Sequence, residues 1–349
     1  MDKCKNKRMK YILSIDQGTT SSRAIVFDEN QNIISEDQKE YDLFYPNDGW
    51  VEARPDEILA SVRETVDKAI DNSNVTINAC GITNQRETVV VWERASGKAI
   101  YPAIIWQDRR TSELCNELKK NKKLENEIRK KTGLLLDPYF SASKIKWILD
   151  NVEGARIKAK NGDLCFGTIE TFLIWNLTEE KNHKTDATNA SRTMLMNLET
   201  LAWDQSLLEI FNIPIEILPE ICSCDDTFGH IDKGDQKIPI TGVIGDQQSA
   251  LFGQNCFDFG EMKSTYGTGC FLMVNTKDKI YKSNAKLLST VGCKLGNETS
   301  YALEGSIFSA GTSIQWLRDE MKFFNDSSET EELIDKNFNS NGVNFIPAF

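Results

Sequence analysis

The chain has 349 residues and a formal net charge of −11. It is too long for one ordinary core and about right for two domains. It is too acidic for a nucleic-acid partner, which demands a basic face, though a small phosphorylated ligand needs only a few local cations. Apolar residues make up 40% and charged residues 27%, the balance of a soluble globular chain, and no apolar run approaches the roughly 20 residues of a membrane span.

The nine cysteines are scattered, with Cys222 and Cys224 the only close pair. No CxxC pair starts a zinc site and no regular spacing suggests a disulfide framework, so buried thiols in a reducing cytoplasm are expected. His183 and His230 are the only histidines. Acid and base work therefore falls to Asp or Glu.

Residues 1–10, MDKCKNKRMK, are basic without the apolar centre of a signal peptide, and read as a disordered tail. Tyr11–Ile15 and Ala24–Phe27 are β-rich runs, and a third follows near Ile33–Ile34. A helix opens at Pro55, with Asp56 and Glu57 in its first turn and Ile58, Val62, Val66 and Ile70 recurring every four residues. Strands are expected at Ala79–Thr83, Val89–Trp92 and Ala103–Trp106, then helices from about Thr111 to Lys131 and from Ser143 to Asn151. Leu164–Phe166 reads as a strand, Ile169–Leu177 as a helix, Ile238–Ile244 as a strand and Gln247–Phe252 as a helix. Strands alternating with helices imply an α/β fold. Met262–Val274 then repeats the opening plan of strand, polar turn and strand, followed by a strand at Tyr301–Glu304 and a helix starting near Ser309. This echo is architectural and points to two related halves.

The turns carry the chemistry. Ser14–Arg23, SIDQGTTSSR, places Gly18 and four hydroxyls between two strands. Such a stretch is either a polar hairpin tip or a concave set of donors for anionic oxygens, and it lacks the GKS or GKT of a Walker loop. Tyr266-Gly267-Thr268-Gly269 supplies a second tip, so two loops could clamp a polyphosphate as in the actin-like ATPases. Asp246 follows a strand and Gly245 at a helix start, where α/β ligands bind; it can serve as a helix cap, as a proton acceptor, or as both. Arg86 and Glu87 pair on a surface or, in a cleft, give a donor fork and an acceptor for neighbouring hydroxyls. Trp106 is either core or a wall against a small carbon skeleton.

From Tyr11 onward the chain resembles the glycerol kinases within the FGGY carbohydrate kinases. The strings YILSIDQGTTSSRAIVF, GWVEARPDEI, GITNQRET, AIIWQDRR, FGTIETFLIWNLT, TDATNASRTML, GDQQSALFGQ, YGTGCFLMVNT and ALEGSIFSAGTSIQWLRDE carry the resemblance, with Tyr139–Asn151 matching the family's first signature. It implies a ribonuclease-H-like, actin-like pair of domains, residues 11–254 and 255–349, the second incomplete. The implied reaction is phosphorylation of glycerol by ATP, in the cytoplasm, with Mg²⁺ and with homo-oligomers as an option. The glycerol site would comprise Arg86, Glu87, Trp106, Tyr139, Asp246, Gln247 and Phe271, with Asp246 the catalytic base. Thr19, Thr20, Ser21 and Arg23 would hold nucleotide phosphates, Thr268, Gly311 and Gln315 would face them across the cleft, and Asp16 would hold Mg²⁺ through water.

Two departures from the family pattern matter. The loop Gly229–Lys237 lacks the arginine by which some members bind fructose 1,6-bisphosphate. The family's later adenosine-binding segment and second signature lie beyond Phe349, so weak ATP affinity and low turnover are expected of the chain as written. Another FGGY sugar kinase such as a xylulokinase, a non-phosphorylating actin-like ATPase and an inactive remnant are the competing readings.

Overall fold

A computed structural model describes residues 10–179, 181–267, 269–334 and 339–346. The opening apolar runs become β1 (Tyr11–Gln17) and β2 (Ser21–Asp28), paired antiparallel with Asp16 opposite Arg23. Leu13 and Ile15 point into the core while Ile12 lies on the open face, the period-2 pattern of a strand. β3 (Ile33–Glu40) continues the meander. Its last six residues, Ser35–Glu40, are polar and largely exposed, which is why only its first two residues were expected as strand. Helix α1 (Pro55–Ser73) covers β2 and β3 with Ile58, Val62, Val66 and Ile70 buried, each worth roughly 1.5–3 kcal/mol, and Asn74 ends it in the left-handed conformation (φ 53°).

On the other side of β1 lies β4 (Ala79–Asn84), parallel to it, and then the hairpin of β5 (His230–Lys233) and β6 (Gln236–Gly245). The six-stranded order is β5-β6-β4-β1-β2-β3. Parallel pairing puts Gln17 opposite Asn84, and Asn84 opposite Gly245. Three strands therefore stop at one level. The residues that follow them, Gly18-Thr19, Gln85-Arg86-Glu87 and Asp246-Gln247, emerge at one sheet edge.

Helix α2 (Asp246–Gly253) leads from β6 to a second, wholly antiparallel sheet of β7 (Met262–Tyr266), β8 (Cys270–Lys277), β9 (Leu288–Leu295) and β10 (Glu298–Ile307), in the order β7-β8-β10-β9. Helix α3 (Gly311–Asp319) follows. Leu251 of α2 packs with Cys256, Met273 and Ala302, and Ala187, Ala190, Met196 and Leu198 pack with Val291 and Tyr301 of the smaller sheet. The smaller sheet is also tied through backbone to loops of the first half: Ser289 N–H donates to the Gly133 carbonyl (3.0 Å), and Cys224 N–H to that of Lys294 (2.7 Å).

The expected helix at 111–131 is two helices, Ser112–Lys119 and Lys122–Thr132, because the Asn121 side chain accepts the Leu124 N–H and caps the second. The strand expected at 103–106 is only Ala103–Ile104. Strand β9 was not expected: the register shifts between Val291 and Cys293, at Gly292, and breaks any alternation. Among the described residues no helix is long and apolar enough to cross a membrane.

Candidate active site

A cavity of about 160 Å³ opens where the ends of β1, β4 and β6 meet the β7–β8 hairpin. Thr19, Arg86, Glu87, Trp106, Tyr139, Asp246, Gln247 and Phe271 line it, with Thr265, Gly267 and Gly269. At roughly 30 Å³ per water the space equals about five waters. It takes a short polar skeleton and excludes anything of nucleotide size. The residues proposed for the acceptor are thus brought together, and Thr19 of the hairpin tip joins them.

Trp106 forms the apolar wall, its ring 5.8 Å from Tyr139 and 5.9 Å from Phe271, both edge-on, and its Nε1–H donates to Thr19 Oγ1 at 2.9 Å. Asp108 and Arg110, behind it, are scaffold. Arg110 is buried between Asp108 (2.8 Å) and Glu52 (2.7 Å), with its guanidinium 3.8 Å from the centre of the Trp50 ring.

Glu87 is held in an uncommon backbone state, φ 62°, spanned by a Thr88 N–H to Arg86 carbonyl bond of 2.7 Å. Such a γ-turn with positive φ is rare and strained, and it turns Glu87 toward the cavity while Ser141 Oγ–H holds its carbonyl (3.0 Å). Its carboxylate accepts Arg192 Nε–H at 2.6 Å.

Arg86 departs from expectation. Its terminal nitrogens do not form an open fork for hydroxyls. Nη1 and Nη2 bind the two oxygens of Glu304 at 2.7 and 3.0 Å, and Nη1 also reaches Gln248 Oε1 at 3.1 Å. Its Nε lies 3.3 Å from Asp246 Oδ1 and 3.9 Å from Glu87. Glu304, on β10, also accepts Arg192 Nη2–H at 3.0 Å. Burial alone would raise the Glu304 carboxyl, but Arg192 and Arg86 hold it at about 2. Sequence reasoning missed Glu304, Arg192 and Lys263, the last a buried lysine of β7 behind the cavity wall. Glu304 and Arg192 lie inside the strings ALEGS and ASRTML. The only signal was a charge within an otherwise apolar or small-residue run.

Asp246 opens α2 directly after Gly245 and accepts the Gln247 N–H at 2.6 Å, so it serves the helix start as well as facing the cavity. Burial raises its pKa to about 6; Arg86 opposes the rise, and Glu87 and Asp16 add to it. Asp16, opposite Arg23, has an exposed side chain, yet the protein atoms crowded around it strip enough water to raise its pKa, and Arg23 eases it down. No group of three or more metal-ligating side chains exists among the described residues. The Asp16 carboxylate suits a hydrated Mg²⁺, which takes one or two carboxylates and completes its shell with water and phosphate oxygens.

At the first hairpin tip, Gly18 N–H closes the turn on the Ser21 carbonyl (2.9 Å) and Ser21 Oγ accepts from Gln38 (3.1 Å). Thr20 is exposed, its carbonyl accepting the Tyr41 N–H (3.1 Å). Arg23 pairs with Glu36 of β3 and is 42% exposed, so its guanidinium rests beside the sheet. Across the cleft Gly311 begins α3 and donates its N–H to the Gly267 carbonyl (2.9 Å), which ties that helix to the second tip; Gln315 lies one turn on, exposed. Thr268 lies outside the described residues.

A sheet edge with a poised carboxylate, a small polar cavity and two hairpin tips from two sheets defines an α/β enzyme of the ribonuclease-H-like kinase class. The chain belongs to the FGGY family of carbohydrate kinases: residues 11–253 match the family's N-terminal domain and residues 262–349 its C-terminal domain. It is 54% identical over 347 residues to a glycerol kinase of Fusobacterium nucleatum, covering 98% of this chain and 70% of that protein. The crystal structure of Plasmodium falciparum glycerol kinase with ADP superposes with a TM-score of 0.89 at 42% identity, covering 98% of this chain and 69% of that one. A ligand-bound xylulose kinase from Lactobacillus acidophilus, 23% identical with a TM-score of 0.81 over 93% of this chain and 65% of that one, shares the fold.

Proposed function

We propose that the chain phosphorylates glycerol at the expense of ATP, with residues 11–254 and 255–349 as the two domains that flank the cleft. The observation that carries this reading is the cavity of about 160 Å³ with Asp246 at its wall, in a chain whose relatives at 54% and 42% identity are glycerol kinases. A three-carbon triol fits such a space, with its carbon face on Trp106 and Phe271 and its hydroxyls toward Glu87, Gln247, Asp246 and the inner edge of Arg86. Tyr139 closes the side.

In the reaction Asp246 takes the proton of the attacking hydroxyl, whose oxygen bonds to the γ-phosphorus as the bond to ADP breaks. Thr19, Thr20 and Ser21 receive the phosphates from one side, with Arg23 joining them once it leaves Glu36, and Gly311 and Gln315 from the other. Asp16, beside Asp246, would hold a hydrated Mg²⁺, which when bound neutralises the phosphate charge. An ATP-consuming reaction of this kind fits the cytoplasm.

A coupled assay of ADP release tests the reading. Glycerol should switch ADP release on well above the glycerol-free rate, and xylulose should not. Equal rates without glycerol would point to an ATPase, and preference for xylulose to another sugar kinase.

A further inference from the structure

Lys263, on β7, is 5% exposed and does not itself line the cavity. Its ammonium has three hydrogens and meets three acceptors: Gln247 Oε1, Thr265 Oγ1 at 2.8 Å and the Phe271 carbonyl at 3.4 Å. All three of those residues line the cavity. We infer that Lys263 is a positioning residue that fixes which end of the Gln247 amide faces the cavity and ties the acceptor pocket to the smaller sheet.

The argument turns on donor and acceptor character. An ammonium can only donate, so it must meet the oxygen of the Gln247 amide, never the NH₂ group. The nitrogen is thereby turned the other way, 3.4 Å from Asp246 Oδ2, where it is a donor for the acceptor molecule or for the base. Without the ammonium the amide could rotate by half a turn and present an acceptor where a hydroxyl oxygen needs a donor. With all three hydrogens engaged, Lys263 has none left for a phosphate, which separates positioning from direct catalysis. The charged and titratable groups around it are Arg86, Asp246, Glu304 and Cys270; burial first and Arg86 second pull its pKa down to about 8, so it remains an ammonium at neutral pH. Lys263 comes from β7 and Gln247 from α2, so the contact spans the junction of the two sheets.

The inference rests on reading the cavity as the acceptor pocket, and the test keeps the two apart. Calorimetric glycerol and ADP titrations are compared for this chain, Lys263→Met, Gln247→Ala and the double variant, with ¹⁵N-glutamine spectra alongside. Lys263→Met should weaken glycerol binding roughly tenfold, the range of one charge-assisted hydrogen bond, and leave ADP binding unchanged. In the Gln247→Ala background the same change should have little further effect, since both act through one group. Additive losses, or equal losses for glycerol and ADP, would overturn the inference. If the unsubstituted chain binds no glycerol, the acceptor reading fails. Lys263 is then judged by the Gln247 side-chain amide signal, identified by its loss in Gln247→Ala: a shift in Lys263→Met supports the inference and an unmoved signal overturns it. If Lys263→Met does not fold, titrating the unsubstituted chain through about pH 8 gives the same readout, because deprotonating the lysine must move that signal.

Discussion

At the scale of single residues the cavity is a lesson in poised charge. Asp246 is raised to about 6 by burial against the opposing pull of Arg86, which leaves it mostly ionised at neutral pH yet basic enough to take a proton. Below that value the carboxyl is protonated and cannot accept another. We expect kcat/KM to fall about tenfold per pH unit as pH drops through about 6. Asp246→Asn should lower kcat by about 10²–10⁴ with glycerol affinity little changed and the acid limb gone; a pH–rate profile of both proteins checks this, and near-normal turnover in the variant would reduce Asp246 to a helix-start residue. Arg86, Glu87, Trp106 and Asp246 could be read from local strings, because each lies within three positions of a strand end, whereas Tyr139, Gln247 and Phe271 were expected only from the family resemblance. Glu304 and Arg192 could not, because what gives them meaning is distant. Glu304 meets Arg86 across 218 positions, and Arg192 meets Glu87 across 105.

At the scale of elements, the first hairpin shows how a flexible-looking tip is kept in shape. Tyr41, just beyond β3, places its hydroxyl 2.6 Å from the Gly18 carbonyl and 2.7 Å from that of Thr19, while Gln17 and Gln85 donate to it at 2.9 and 3.0 Å. Burial pushes the phenol well up, so it stays a neutral donor. Tyr41→Phe removes these bonds and leaves the Gln17 amide one acceptor short, while Gln85 keeps Gln17 Oε1 and the Gly18 carbonyl, a loss of about 1–2 kcal/mol. Kinetics should show a KM for ATP raised several-fold with the KM for glycerol unchanged; an equal rise in both would mean that the tip does not hold phosphate. Elements with strong periodicity, such as α1, were legible from the sequence. Those whose partners override their own pattern, such as the polar end of β3 and the bulged β9, were not.

At the scale of the molecule, the two-sheet plan was legible because the strand-turn-strand echo and the α/β alternation are both local patterns. The joint between the sheets was not, since it is made of close approaches. Gly133 is the clearest case: its φ is 71°, and a Cβ there would come within 2.5 Å of the Ser289 carbonyl oxygen and 2.7 Å of Leu198. Gly133→Ala should therefore destabilise the chain by about 1–3 kcal/mol through a strained backbone and a forced gap at the joint. It should also lower turnover, because phosphoryl transfer needs both sides of the cleft in register. Thermal melting with a parallel rate measurement checks it; an unchanged melting temperature would mean that the joint is loose enough to absorb a methyl group.

The bond between Arg86 and Glu304 also has a consequence in time. A ribosome adds about 5–20 residues per second, so roughly 10–45 s pass between the making of one partner and the other. During that interval Arg86 has no carboxylate from β10; Glu87 and Asp246 reach only its Nε, and burying Nη1 and Nη2 with no anion costs several kcal/mol. The emerging first half is therefore expected to keep this corner wet and open until β10 arrives to fill it. The proposed acceptor pocket would then be among the last parts of the molecule to be finished, although most of its residues are among the first to be made.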